Sequence, residues 1–345
     1  MLAQMAINGY NCSMIKRKSP VYLLVFFLLV LTCQAFSAQI SKAEFDRLVL
    51  VDKLLLGQIG EMEAEFENSP ALKKYRVEYL ATVASKQIKP VSTQEMIKNI
   101  DAARFVFLGD EHTTAESQLN TIKILGLMRK NKAPVTLVLE WIDESHQADI
   151  DAFLAGKLPL KNLRGKIAFD KDWGFSWTSF GKILSAAKKM KVPILLVERL
   201  KKRYSLGDRD THIAGKIKLN ADKNKEMRFL TVYGEYHLLG PDHLTEKCAQ
   251  LGLKSQLIMV GDAPGVYWKL LGRTMDPDKV EFAHLKNNVF YIRNGTPVER
   301  SFSYRSYLMK VLGWSQDDFD EKITRADITA KAAAQANFDR LHQQR

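Results

Sequence analysis

Between Phe105 and Asp262 the chain alternates short runs of consecutive apolar residues with longer segments whose apolar residues recur every three or four positions. The runs are FVFLG, VTLVLE, VPILLVE, FLTVYG and QLIMVGD. Continuous apolar runs of this length mark strands buried on both faces, and the amphipathic spacers mark helices. Helices are expected near 114–130, 145–154, 179–191, 209–221 and 241–251, with a loop carrying Trp173 and Trp177. The pattern predicts an α/β domain over residues 92–300, its mainly parallel sheet covered by helices on both faces.

The flanks follow a different pattern. Ser41 to Glu44 reads as a capping box opening a helix that runs to about Glu67, and Ser69 with Pro70 opens a second. Together they predict an N-terminal helical hairpin within residues 38–91. Ser92 to Glu95 caps a short third helix before the first strand. After a last strand and an Asn-Gly turn, residues 301–345 read as a C-terminal helical tail, polar and Ala-rich at its end.

Residues 1–37 read as an export signal. Lys16, Arg17 and Lys18 precede an apolar stretch from Val21 to Leu31 and then small residues, and the stretch is too short for a comfortable membrane span. Met14 opens this segment better than Met1 does. Two processing outcomes are open: an ordinary cut after Ala35 or Ser37, or lipidation of Cys33 in VLTC, which would tie the chain to a membrane. Either outcome predicts a periplasmic or envelope location. Cys248 is then the only cysteine of the mature body, which excludes an internal disulfide, and its surroundings suit a buried helix face.

Composition adds little about partners. The formal charge is +12, from 51 basic and 39 acidic residues, but in the sequence the basic residues form no cluster that points to nucleic acid. ERLKKRY and SAAKKMK read as solvated loop and helix-end segments. No nucleic-acid partner is expected; a small-molecule cofactor or substrate is. Oligomeric state is open.

The strand ends carry the chemistry. RFVFLGDEH (Arg104 to His112) and RFLTVYGEYH (Arg228 to His237) repeat Arg-Phe, an apolar run, glycine, acid, one free position and histidine. The five strands in turn deliver Asp110, Glu111 and His112; Glu140; Glu198; Glu235 and His237; and Asp262. In a parallel sheet these ends share one edge, where open α/β sheets place ligands. Imidazole and carboxylate together suit Zn, Mn, Fe or Co, and without metal they suit general acid–base work. Candidate metal ligands are Asp110, Glu111, His112, Glu140, Glu235 and His237; if the protein is an enzyme, His112, His237 and Glu140 are its candidate catalytic groups. The glycines are read as permitting a tight or left-handed turn.

Plainer readings stand beside these. Asp110 and Asp262 are equally placed to cap the helices that follow, and Glu198 to pair with Arg199. Arg209, in RDTHIA, is placed either to clamp an anion or to pair with Asp210 at the surface. His146, His284 and His342 read as solvated, and His243 as a partner behind the second motif. The sequence has no G-x-S-x-G elbow and no glycine-rich phosphate loop, so serine-nucleophile and nucleotide chemistry lack support.

GDEH, GEYH, VLEW, the Trp-rich DWGFSWTSFGKILSAAKKMKVPILLVE and RDTHIA together resemble the ChaN-like haem-binding-uptake family of the Tiki superfamily, which includes erythromycin esterases and Tiki metalloproteases. The resemblance implies an exported α/β domain with two pseudo-symmetric G-x-x-H strand ends and a cleft at their tips. By position His112 and His237 match the family's motif histidines, Asp110 and Glu235 its acidic second positions, Glu140 its strand-end glutamate, and Arg209 and Asp210 its Arg-Asp pair. The candidate cofactor-binding residues are His112, His237, Tyr236 and Arg209, with Tyr233, Tyr236 and the Trp173 to Trp177 loop near any haem slot. Here the second position of the first motif is Asp110, no histidine follows in TTAESQ, and Glu198 replaces the usual asparagine. The resulting acidic rim favours a divalent metal beside haem. The expected function is cofactor binding, of haem or a divalent metal, in haem or iron uptake. A metal-dependent or His-based hydrolase and a non-catalytic envelope interaction module are the alternatives.

Overall fold

A computed structural model describes residues 39–319 apart from 66–68, 86, 131–132 and 201–203. The leader, Cys33, His342 and the end of the tail lie outside the described residues.

Eight strands form one mixed sheet: β1 (Lys89–Val91), β2 (Phe105–Asp110), β3 (Val135–Asp143), β4 (Ile194–Glu198), β5 (Arg228–Gly234), β6 (Gln256–Val260), β7 (Phe282–Lys286) and β8 (Val289–Ile292). Their order across the sheet is β1-β7-β8-β6-β2-β5-β3-β4, and β7 alone runs against the others. The two motif strands, β2 and β5, are direct neighbours in register, with Gly109 beside Tyr233 and Asp110 beside Gly234. The five expected strands are therefore parallel, and their carboxyl ends share one rim.

Twelve α-helices are described: α1 (Lys42–Glu65), α2 (Pro70–Val83), α3 (Thr93–Ala102), α4 (Ala115–Lys130), α5 (Gln147–Leu154), α6 (Leu160–Lys166), α7 (Phe169–Asp172), α8 (Trp177–Lys189), α9 (Leu206–Lys223), α10 (Leu244–Gln250), α11 (Val266–Thr274) and α12 (Pro297–Leu312). Alternation along the strands sends Val106, Leu108, Leu230 and Val232 to one face, against α3 to α8. Phe105, Phe107, Phe229 and Tyr233 go to the other face, against α2, α9, α10 and α11. Burial of both faces is why these strands read as unbroken apolar runs.

Ser69 and Ser92 cap α2 and α3 as expected, their hydroxyls accepting from the Leu72 and Glu95 amides at 3.2 Å. The N-terminal pair is linked by Arg76 and Glu63, yet each helix also serves a different neighbour. Along α1, Ile59 and Met62 pack on Leu308 of α12, while α2 lies against the turn that follows β5. The Asn294-Gly295 turn is present, with Gly295 at φ +84°, and Thr296 and Glu299 form a capping box that starts α12. Strands β1 and β7 were not expected, and the Trp-rich stretch carries two short helices before Trp177 opens α8.

Candidate functional site

The two motifs are interlocked through their glycines. A Cβ on Gly109 would lie 2.5 Å from Cγ of Glu235, and one on Gly234 would lie 3.2 Å from Nε2 of His112. Each motif's glycine thus makes room for the other motif's functional side chain. This corrects the reading of these glycines as left-handed turn formers: neither has positive φ, and Gly234 sits at −50°. What they supply is the absence of a side chain where neighbouring strands cross.

His112 emerges on the loop after β2. Its Nδ1 lies 2.9 Å from Oδ2 of Asp110, whose other oxygen accepts from Ser117 at 3.0 Å and Gln118 at 2.7 Å. Asp110 therefore anchors both the imidazole and the first turn of α4. The Nε2 of His112 points to Oε2 of Glu140 but stays 3.9 Å away, beyond a hydrogen bond. Burial alone would lower the His112 pKa, but the hydrogen bond and charge of Asp110, with the charges of Glu140 and Glu111, raise it overall. Trp173 meets the ring edge-on at 4.6 Å, Phe175 lies at 5.1 Å, and Tyr307 stacks on Phe175 from α12.

Behind His112, Glu140 accepts from the Gly234 amide and lies 3.4 Å from Arg209 on α9. Arg209 also holds Glu198 at 2.6 Å, and Glu198 accepts from the Tyr233 hydroxyl at 2.9 Å. Two sequence readings are corrected here. Glu198 pairs with Arg209 rather than with Arg199, which contributes only its backbone amide and sends its guanidinium to Glu144. Arg209 is neither an open anion clamp nor a partner of Asp210: two carboxylates already occupy it.

Glu235 is almost wholly buried and collects four donors from three segments. One oxygen accepts from the Gly261 amide at 2.7 Å and faces Asn294 at 3.4 Å; the other accepts from the Tyr79 hydroxyl at 2.8 Å and the Asp262 amide at 2.6 Å. Burial, then the charge of Asp262, pushes its pKa from the ordinary 4.5 up to about 7, against the opposing pull of Arg300. Arg300 of α12 bonds Glu111 at 2.6 Å, the Gly261 carbonyl at 2.8 Å and Asp262 at 2.8 Å. Asp262 is thus an ion-pair partner of α12 and not the cap of the next helix, which α11 begins from Gly265 instead.

His237 does not join His112. Its Nδ1 lies 2.7 Å from Asp210, which also accepts from the Tyr75 hydroxyl at 3.2 Å, and its side chain is 7% exposed against 25% for His112. Tyr75 stacks on the buried His243, 4.0 Å between centroids, and His243 reaches Glu78 at 3.0 Å. The two imidazoles stand at the same rim, each held by its own carboxylate, His112 by Asp110 and His237 by Asp210. Tyr236 packs against Tyr79 at 5.3 Å, and burial followed by the charge of Asp262 holds its phenol far above the ordinary range.

The divalent-metal expectation also finds no support. Among the described residues no group of three or more His, Cys, Asp or Glu is arranged to hold a metal ion. The physical reason is visible at the expected carboxylate ligands: Asp110, Glu111, Glu140 and Glu235 spend lone pairs on protein donors. Elsewhere, His146 faces Asp149 at 3.2 Å, His284 bonds the Asn287 carbonyl at 2.7 Å, and His212 faces Glu144 at 3.2 Å. Cys248 is fully buried, and burial, then the charge of Asp210, pushes its thiol up to about 12.

Tyr75, Tyr79, Asn294, Arg300 and Tyr307 were missed in the sequence. They lie on helices or turns far from either motif and carry no local signal of their own; only the unusual Tyr spacing along α2, Tyr75 and Tyr79 on one helical face, hints at a shared task.

Residues 96–198 match the family described as haem-binding uptake, Tiki superfamily, ChaN. No curated protein sequence matches the chain. Among solved structures, similarity extends to the type III effector HopBA1, at 13% identity over 52% of this chain and 88% of that one, TM-score 0.40. It extends also to a Campylobacter jejuni ChaN structure described for cofacial haem binding, at 15% identity over 52% of this chain and 92% of that one, TM-score 0.37. The C-terminal region of Pasteurella multocida toxin, described as having a thiol-protease-like triad, matches at 14% over 60% of this chain and 30% of that one, TM-score 0.37. Such distant likenesses carry no functional weight by themselves. The matched segment, residues 96–198, is the one that supplies GDEH, the β3 glutamate and the Trp-rich wall, and over it the chain is similar to the ChaN haem-binding-uptake family of the Tiki superfamily.

Proposed function

We propose that the protein binds haem at the rim beside His112, as an exported component of haem or iron uptake. One observation carries this reading: His112 is the more exposed of the two motif histidines, 25% against 7%, and its free nitrogen lies beside aromatic rings. Asp110 fixes Nδ1, which leaves Nε2 without a hydrogen bond beside an aromatic wall of Trp173 and Phe175. A carboxylate behind a ligating imidazole fixes its tautomer and raises its basicity. Apolar rings beside it suit a planar macrocycle. Tyr236 is the poorer donor, because its phenol is held protonated. His112, Trp173 and Phe175 are the residues that would hold haem there, and the group would supply an iron centre; the chain's own contribution is to orient the His112 imidazole through Asp110 and to keep water from it with the aromatic rings. Export rests on the leader pattern of residues 1–37.

Titrating the purified chain with haemin tests this. A saturable Soret shift at about one haemin per slot is expected, and its absence would overturn the reading. A second reading, a His-based hydrolase, draws on the same Asp110–His112 pair, which is the arrangement of a general base. Ester or peptide hydrolysis abolished by His112→Ala, without haemin binding, would favour it.

A further inference from the structure

The fold gathers charge that the linear sequence disperses. Between Ala155 and Lys191 lie nine basic and two acidic residues, a net +7 of the chain's +12. This stretch forms α6, α7 and α8, which with α5 bury Phe153, Leu163, Phe169, Phe180 and Leu184 against one face of the sheet. The apolar sides point inward, so the lysines are left on the outer surface of a single layer. Lys157, Lys161, Lys171, Lys182, Lys189 and Lys191 are all exposed, and none has an ion-pair partner among the described residues.

We propose that this layer is a docking surface for an anionic lipid membrane. Lysine ammonium groups act as diffuse point charges, which suits a field of headgroups. Nucleic acid fits less well: Arg164, the stretch's one arginine, is already taken by Asp170 through two hydrogen bonds, and the layer's aromatic rings are turned inward and so cannot stack on bases. No large apolar side chain is exposed in the stretch, so contact is by adsorption rather than insertion. The location also has a use. Trp173 and Phe175, beside His112, lie on the loop joining α7 to α8, so the aromatic wall sits at the border of the basic layer. A hydrophobic ligand dissolved in the bilayer would reach that wall without crossing water.

The proposal is independent of which ligand the rim binds. Sedimentation of the full chain with vesicles of mixed phosphatidylglycerol and phosphatidylcholine, against phosphatidylcholine alone, is the test. Any contribution of residues 1–37, the charges of Lys16, Arg17 and Lys18 included, is common to wild type and to a variant of the layer, so the difference between the two proteins reads the layer's charge. Binding about tenfold stronger to the anionic vesicles is expected, falling as salt is raised. A variant with Lys157→Gln, Lys161→Gln, Lys182→Gln and Lys189→Gln should lose most of the wild-type preference for anionic vesicles while keeping the wild-type circular dichroism spectrum. The proposal fails if that variant keeps its anionic preference, if wild type binds both vesicles equally, or if duplex DNA or polyglutamate displaces the anionic vesicles at equal charge.

Discussion

The two G-x-x-H motifs are near twins in sequence and opposites in structure. In GDEH the acid, Asp110, holds its own histidine, and that histidine is a quarter exposed beside aromatic rings. In GEYH the acid, Glu235, turns away from its histidine and is consumed by donors from α2 and the β6 end, while His237 is buried against Asp210 of α9. One copy opens to the rim beside aromatic rings, and the other ties strands to helices. Repetition of a motif therefore marks repeated backbone geometry, and the chemistry of each copy depends on what the surrounding helices offer.

The contrast breaks most severely at Glu235. Glu235→Ala leaves the Gly261 and Asp262 amides without their acceptor and Tyr79 with only the Asp262 carbonyl, and should cost about 3 kcal/mol of stability, whereas His112→Ala should cost less than about 1 kcal/mol. Urea unfolding of the two variants measures the gap; equal losses would erase the distinction between a structural and a ligand-facing copy.

The glycines sharpen it next. Gly109→Ala drives a Cβ into Cγ of Glu235, deep inside packed structure, and should cost about 1–3 kcal/mol. Gly234→Ala meets the more exposed His112, which has room to give, so its stability loss should be smaller and its effect on ligand binding larger.

Acidity distinguishes the copies in another way. Glu235 binds its proton more tightly folded, near 7, than at its ordinary 4.5, so its contribution to stability is greatest below about 4.5, declines as pH rises to about 7, and is flat above. His112, also raised, contributes stability that is lost as pH rises through its folded value. Glu235→Gln should remove the slope between 4.5 and 7, whatever offset it adds, in unfolding curves taken across that range. A slope left intact would mean that Glu235 titrates normally. Among the changes around Glu235 the smallest effect is expected at Tyr79→Phe, which removes one donor to Glu235 and should lower stability by about 1 kcal/mol by thermal unfolding.

Much of this fold was legible because both sheet faces are buried: five strands show as unbroken apolar runs, and their order delivers the acids to one rim. Strands β1 and β7 were illegible because KPV is very short and FAHLK carries a polar histidine and lysine on an outer strand. At the rim, the motif residues were found but their partners were not. Local reading offered Arg199 to Glu198 and Asp210 to Arg209, whereas the fold brings Arg209 to Glu198 and Asp210 to His237. Tyr79 reaches Glu235 across 156 positions of chain, a distance over which no pattern in a single sequence speaks.

The central claim is that the first copy binds and the second supports. Haemin titration of His112→Ala and His237→Ala, each first shown to be folded by circular dichroism, tests it most directly. The Soret shift should vanish in His112→Ala and persist in His237→Ala, even though the latter, by leaving Asp210 buried without its imidazole, is the less stable protein. A shift that survives His112→Ala and is lost in folded His237→Ala would contradict the assignment.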